Sequence, residues 1–394
     1  MYCLRILFFL LPAISGLANV FQLFKLPQSV LVIIPIALLA LSFFEMKKVK
    51  VNTTKENKFR MYMSIICLYA YTIISSFYVF IADGAYDLKN SVIILINIIP
   101  LVWIAFYRPG YTIDLNNLMK IYVYSTLIMC FLFLLFCIPI LLINGSKAWA
   151  FISMNVIPNR NDSSIIMLIA LSALFFLNTF NSVMLRIVFS SIIVISILLT
   201  FSRSAYLCVA ALVLFYSIRS GHFLRYSVLI GCVAILLIFT DNPISDRLFY
   251  TFESGNVGKY DDSTSLRFQI WDYALSKFSE NPVFGVGFGK GPFFDTLLDA
   301  KYSNSILYAH NYYITQLYQL GIIGFSLSLL TFFYMAKSAL GYISSHCSFI
   351  ISIVIIFSVA SFSGEPLYGY PKYVFFVIYC LLMNNCIQRE SFKI

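Results

Sequence analysis

The chain alternates long apolar runs with short polar connections, apart from one long polar stretch, Asp241–Ala309. Twelve apolar segments are predicted as helices, at 4–24, 28–44, 61–82, 91–107, 121–143, 163–180, 187–201, 204–217, 226–240, 311–335, 347–363 and 372–387. Runs near 20 residues match the length a helix needs to cross the apolar part of a bilayer. The stretch 187–217 is ambiguous. Each half is short for a crossing, and the whole is too long for one helix. Arg219 and Arg225 lie just beyond it and favour two passes. The pattern therefore predicts a helix pair with a tight break at Ser202-Arg203-Ser204.

Composition settles the class. Hydrophobic residues make up 60% of the 394, and charged residues 11%, against about 25% charged in soluble domains. The expected fold is an all-α polytopic integral membrane protein with about 12 transmembrane helices. It is expected to form a single membrane domain, 1–394, with one large loop, 241–309, inside it. The nine cysteines avoid that loop and show no disulfide or zinc spacing, so they read as small apolar helix residues. Residues 1–24 resemble a signal peptide but lack a small-x-small cleavage site, so a retained first helix is expected.

The net charge of +10 does not imply nucleic acid in so apolar a chain. It follows the bias of basic residues toward cytoplasmic loops. With twelve passes, fifteen basic residues fall on one side: Arg5, six between Lys47 and Arg60, Arg108, Lys120, Arg186, Arg219, Arg225, Lys337, Arg389 and Lys393. Six fall in the short loops of the other: Lys25, Lys89, Lys147, Arg160, Arg203 and Lys372. Both termini are then cytoplasmic. Arg160, Arg203, Arg267 and His310 all reach the outer face, which has no nucleotide-sugar supply. A substrate there must arrive activated, most simply on a lipid.

His310 stands where the polar stretch meets an apolar helix, and it is one of three histidines. It is either a structural interface residue or a general base within reach of a hydroxyl. Asn311, Thr315 and Gln319 recur every four residues after it, with Tyr318 beside them. Such a polar stripe should face the bundle interior. Gly321 and Gly324 would allow close helix packing. Arg203 is either a snorkelling helix end or a fixed fork for phosphate oxygens. Arg267 lies in a short amphipathic helix predicted on the membrane surface, and is either a solvated loop cation or a ligand-binding one. Arg160 opens a helix for which Asn161 or Asp162 could serve as N-cap, and it could pair with Asp162. The glycines of Gly285-Val286-Gly287-Phe288-Gly289 suggest a phosphate cradle. Without strand–turn–helix context, a tight non-helical turn packed on the bundle is the better reading. No metal-binding motif appears.

Three features in order resemble the superfamily of O-antigen polymerases and O-antigen ligases, glycosyltransferases of the bacterial envelope. They are the Ser-Arg-Ser-Ala break at 202–205, the Leu-Arg…Trp and Glu-Asn-Pro-x-x-Gly-x-Gly-x-Gly run at 266–289, and His310-Asn311 leading to Gly321-Ile-Ile-Gly324. They cover about 155–325 of the chain. The resemblance implies a helical bundle with a periplasmic loop over a cavity, in the bacterial inner membrane. It implies an undecaprenyl-diphosphate-linked glycan as donor, with neither cofactor nor metal. Arg203 and Arg267 would hold the diphosphate, and His310 would act on the acceptor hydroxyl. Arg160, Asn311, Gly285, Gly287 and Gly289 would bind substrate. A flippase and a chain-length regulator are the implied protein partners.

Polymerases are the more numerous and diverse members, one per glycan type, so transfer of the growing chain onto the next lipid-linked repeat unit is expected. The alternative is ligation of the finished chain to lipid A–core. A transporter of lipid-linked units is a third reading, weakened because the first half of the chain has no counterpart to 241–309.

Overall fold

A computed structural model describes residues 5–13, 56–83, 115–145, 160–177, 179–221, 263–289, 309–340 and 345–364, with residues 3, 38, 148, 152, 244 and 366 singly. Within these the chain is helical, with no strand. Eight helices follow one another: α1 Glu56–Asp83, α2 Leu115–Asn144, α3 Arg160–Phe176, α4 Val183–Leu199, α5 Arg203–Ser220, α6 Ser263–Glu280, α7 Tyr312–Leu340 and α8 Ser345–Ala360. Residues 5–13 add a helical segment.

Seven of these helices fall on predicted segments. Segments 28–44 (Leu38 apart), 91–107, 226–240 and 372–387, and the end of 4–24, lie outside the described residues. Two helices are long and apolar enough to cross a membrane, Leu115–Asn144 and Tyr312–Lys337. Three shorter apolar helices accompany them: Met63–Val79, Val183–Leu199 and Cys347–Ala360. Large apolar side chains point outward on α2, among them Phe131, Phe136, Leu142 and Ile143. Such a surface suits lipid rather than water.

Helix α3 sits at the centre. Nearly every residue from Ser163 to Leu174 is buried, as expected of a helix apolar all round. It packs against α2, α4, α5 and α8. Hydroxyls join the apolar contacts: Ser172 meets Ser352 of α8, and the Tyr122 hydroxyl of α2 donates to the Ile166 carbonyl at 3.1 Å. Small polar residues of this kind let helices approach closely where no hydrophobic drive separates them from lipid.

Helix α7 packs on α1, α6 and α8. Its interior is broken at Gly321, with φ 63° and ψ −168°. Sequence spacing suggested that Gly321 simply makes room for a neighbouring helix. The physical reason for it is different: the 281–289 turn enters the break. The N–H groups of Val286 and Gly287 donate to the carbonyls of Tyr318 and Gln319, at 2.8 and 2.9 Å. In return the Ile322 N–H donates to the Pro282 carbonyl at 2.9 Å. The backbone groups released by the break are thus paired again, as a membrane helix requires. Phe288 N–H extends the attachment to Ser75 Oγ of α1, at 3.0 Å.

Candidate active site

One cavity of ≈ 210 Å³ lies where α3, α5, α6 and the end of α8 meet. Arg160, Arg203 and Arg267 all line it. The remaining lining comes from Asn161, Phe201, Ser202, Ser204, Leu207, Phe268, Trp271, Val359, Phe362 and Ser363. No acidic side chain is among these residues.

The local sequence explains the convergence. Arg160 and Arg203 are the first residues of α3 and α5. Two helix N-termini therefore open on one space, adding their unsatisfied N–H groups and positive dipole ends to the guanidinium charges. Ser202 caps α5, its Oγ accepting from the Ala205 N–H at 3.4 Å. The same hydroxyl donates to Asn161 Oδ1 at 2.8 Å, tying the two helix starts together. Ser164 Oγ donates to Thr200 Oγ1 at 3.0 Å one turn deeper. Asn161 and Asp162 lie inside the first turn of α3 and do not cap it, because the helix already begins at Arg160. The break before α5 is completed by Phe201, buried and with φ 52°. The left-handed region is uncommon for a non-glycine residue and marks stored strain.

His310 repeats this arrangement: a non-glycine residue at φ 52°, one residue before the cap of a helix. Asn311 caps α7, its Oδ1 accepting from the N–H groups of Tyr313 and Ile314 at 3.1 and 3.3 Å. The Tyr312 N–H donates to the Ser361 carbonyl at 2.9 Å, joining this helix start to the end of α8. On the other flank, Trp271 Nε1 donates to the Ala309 carbonyl at 2.8 Å. Trp271 is one turn beyond Arg267 on α6, and both line the cavity.

His310 is exposed by area, yet enough protein surrounds it to disfavour a charge. Burial first, and the Arg267 charge second, lower its pKa from 6.5 to about 4. The imidazole is neutral at pH 7. The polar stripe after it is buried: Asn311 is 7% exposed, and Thr315, Tyr318 and Gln319 are fully enclosed.

The structure thus brings Arg160, Arg203 and Arg267 together in one cavity; His310 is not among its lining residues but lies close enough to Arg267 to feel its charge, and Asn311 follows it as a helix cap. The structure does not bring the glycines there. Gly285, Gly287 and Gly289 do not line the cavity, and the amides of residues 285–288 are bonded to protein. The phosphate-cradle expectation therefore gives way to the packed turn. A Cβ at Gly285 would lie 2.5 Å from the Gln319 carbonyl carbon, so only glycine fits that close approach. Sequence reasoning missed Phe201, Trp271 and the α8 end. The first two sit beside recognised residues, and the Ser361-Phe-Ser-Gly364 interruption after an apolar run was the available signal for the third.

Among the described residues, no cluster of three His, Cys, Asp or Glu side chains could hold a metal. No curated protein of similar sequence matches the chain. Most of α4, all of α5 and α6 and most of α7, with Arg203, Arg267 and His310 but not Arg160, fall within residues 187–329, which match the family model described as O-antigen ligase and so the O-antigen polymerase and ligase superfamily.

Proposed function

We propose that the chain is an O-antigen polymerase, moving the growing undecaprenyl-diphosphate-linked glycan onto the next lipid-linked repeat unit at the periplasmic face. The observation that carries this reading is one cavity holding three arginines and two helix N-termini, with a neutral histidine within reach of the charge of one of them, Arg267. A lipid diphosphate carries the negative charge such a site suits. The topology behind the proposal is about twelve passes, with both termini cytoplasmic and 241–309 outside, in the inner membrane. A flippase delivers the units, and a chain-length regulator acts beside the enzyme. Catalysis needs no nucleotide, metal or cofactor.

In this mechanism the acceptor hydroxyl oxygen attacks the anomeric carbon of the donor. The bond from that carbon to the diphosphate oxygen breaks, and its electron pair leaves with the diphosphate. Arg203 and Arg267 stabilise the charge as it grows, and Arg160 binds the same group. The hydroxyl proton passes to His310. A single displacement inverts the anomeric centre. In the empty site Arg267 helps hold His310 to a low pKa. A bound diphosphate offsets that charge and strengthens the base when it is needed.

The purified protein, given lipid-linked repeat units without nucleotide, should lengthen the glycan. His310→Ala should reduce elongation to a trace at normal expression, and full activity in that variant would sink this assignment. The description of the matching family favours a second reading, ligation to lipid A–core. A deletion strain separates the two. Core bearing a single repeat marks a polymerase, and core without any polymer marks a ligase.

A further inference from the structure

The left-handed backbone of His310 needs an external hold. A residue with a Cβ loses about 1–2 kcal/mol in that conformation, so it persists only where neighbours fix the chain on both sides. On the C-terminal side the Asn311 cap and the Tyr312-to-Ser361 bond supply this. On the N-terminal side, among the described residues, two hydrogen bonds hold the Ala309 peptide. Its N–H donates to Thr315 Oγ1 at 3.1 Å, a contact within the same local turn. Its carbonyl accepts from Trp271 Nε1 at 2.8 Å, thirty-eight positions away in sequence.

That second bond links two elements. Trp271 stands on the same face of α6 as Arg267, four residues on. The indole has a single donor, and Ala309 takes it. One hydrogen bond thus connects the turn of α6 that carries Arg267 to the residue before His310. Behind it, Ile270 and Ala274 of α6 pack with Val286, Ala309 and Tyr318 in a small buried core of their own.

We propose that Trp271 is a positioning residue: its indole N–H, bonded to the Ala309 carbonyl, holds His310 in its left-handed conformation at a fixed offset from Arg267. The proposal rests on the reading of His310 as the residue that meets the acceptor. It assigns Trp271 no contact with the reacting atoms.

The test uses Trp271→Phe, which keeps an aromatic ring and removes the donor, and Thr315→Val, which releases the other side of the Ala309 peptide. Both variants, in the full-length protein reconstituted with lipid-linked repeat, should lower kcat about tenfold or more while KM for the donor stays within about twofold. Within a His310→Ala background, Trp271→Phe should change the residual turnover no further. Independently of turnover, carbethoxylation by diethylpyrocarbonate is read by mass spectrometry. It should become several-fold faster at His310 in Trp271→Phe, with His222 and His346 unchanged as internal references. Unchanged kcat and unchanged His310 reactivity would overturn the proposal, as would losses that multiply in the double variant. If His310→Ala alone is fully active, the catalytic reading falls, and the reactivity of His310 still decides whether Trp271 positions it.

Discussion

Replacing Gly285 by alanine should cost far more than the same change at Gly221, although their φ angles are nearly identical. Gly285 has φ 74° and Gly221 has φ 75°. At Gly221, the left-handed residue that ends α5, an added Cβ meets nothing within 4 Å. Only the conformational penalty applies there, about 1 kcal/mol. At Gly285 the Cβ would lie 2.5 Å from the Gln319 carbonyl carbon and oxygen, and 2.6 Å from the Gly321 nitrogen. All three are backbone atoms and cannot swing aside. Relief requires the turn to lift from the α7 break, losing the bonds from Val286 and Gly287 to Tyr318 and Gln319. Each is worth about 1 kcal/mol net, so the total reaches roughly 3–4 kcal/mol with the conformational penalty included. Reversible unfolding in detergent micelles, followed by helical circular dichroism, measures both variants against the parent. Equal destabilisation at the two positions would refute the claim that the turn is seated in the helix break.

The pH profile of kcat/KM, which reports the protein before donor binds, should keep its acid limb near 4, where His310 titrates, and stay flat through 6.5; a limb at 6.5 would mean an ordinary imidazole. The folded-state pKa lies below the unfolded one. His310 therefore contributes stability above pH 6.5 that is lost as the pH falls toward 4, and a thermal-shift series across that window checks the sign. Arg203→Lys keeps the charge and loses the fork, and should lower kcat/KM about tenfold to a hundredfold; equal turnover would mean charge alone suffices. Ser202→Ala removes both the α5 cap and the bond to Asn161. It should destabilise by about 1 kcal/mol in the same unfolding assay and weaken donor binding measured as KM.

Much of the site was legible in the chain because membrane burial makes polar residues conspicuous. Arg203 stands out only because Phe201 and Ala205 flank it, and His310 only because Tyr312 opens an apolar run. The helix pair at 187–217 was legible because the whole stretch is too long for one helix and Arg219 and Arg225 follow it, and α4 and α5 do meet at Thr200–Ser202. The glycine run misled because glycine signals a need for space without saying what fills it. Here the Gln319 and Gly321 backbone fills it, where a phosphate was imagined. The link from Trp271 to Ala309 spans thirty-eight positions and leaves no periodicity. The positive φ of Phe201 is likewise a property of three-dimensional closure.

The seam between the 281–289 turn and α7 runs almost wholly from main chain to main chain. Its neighbours Val283 and Phe284 turn their side chains outward, at 47% and 67% exposure. Substitutions at those two positions can reshape the outer surface while every amide–carbonyl pairing of the seam is retained. Change on the exterior and constancy at the arginine-lined interior are thereby mechanically uncoupled.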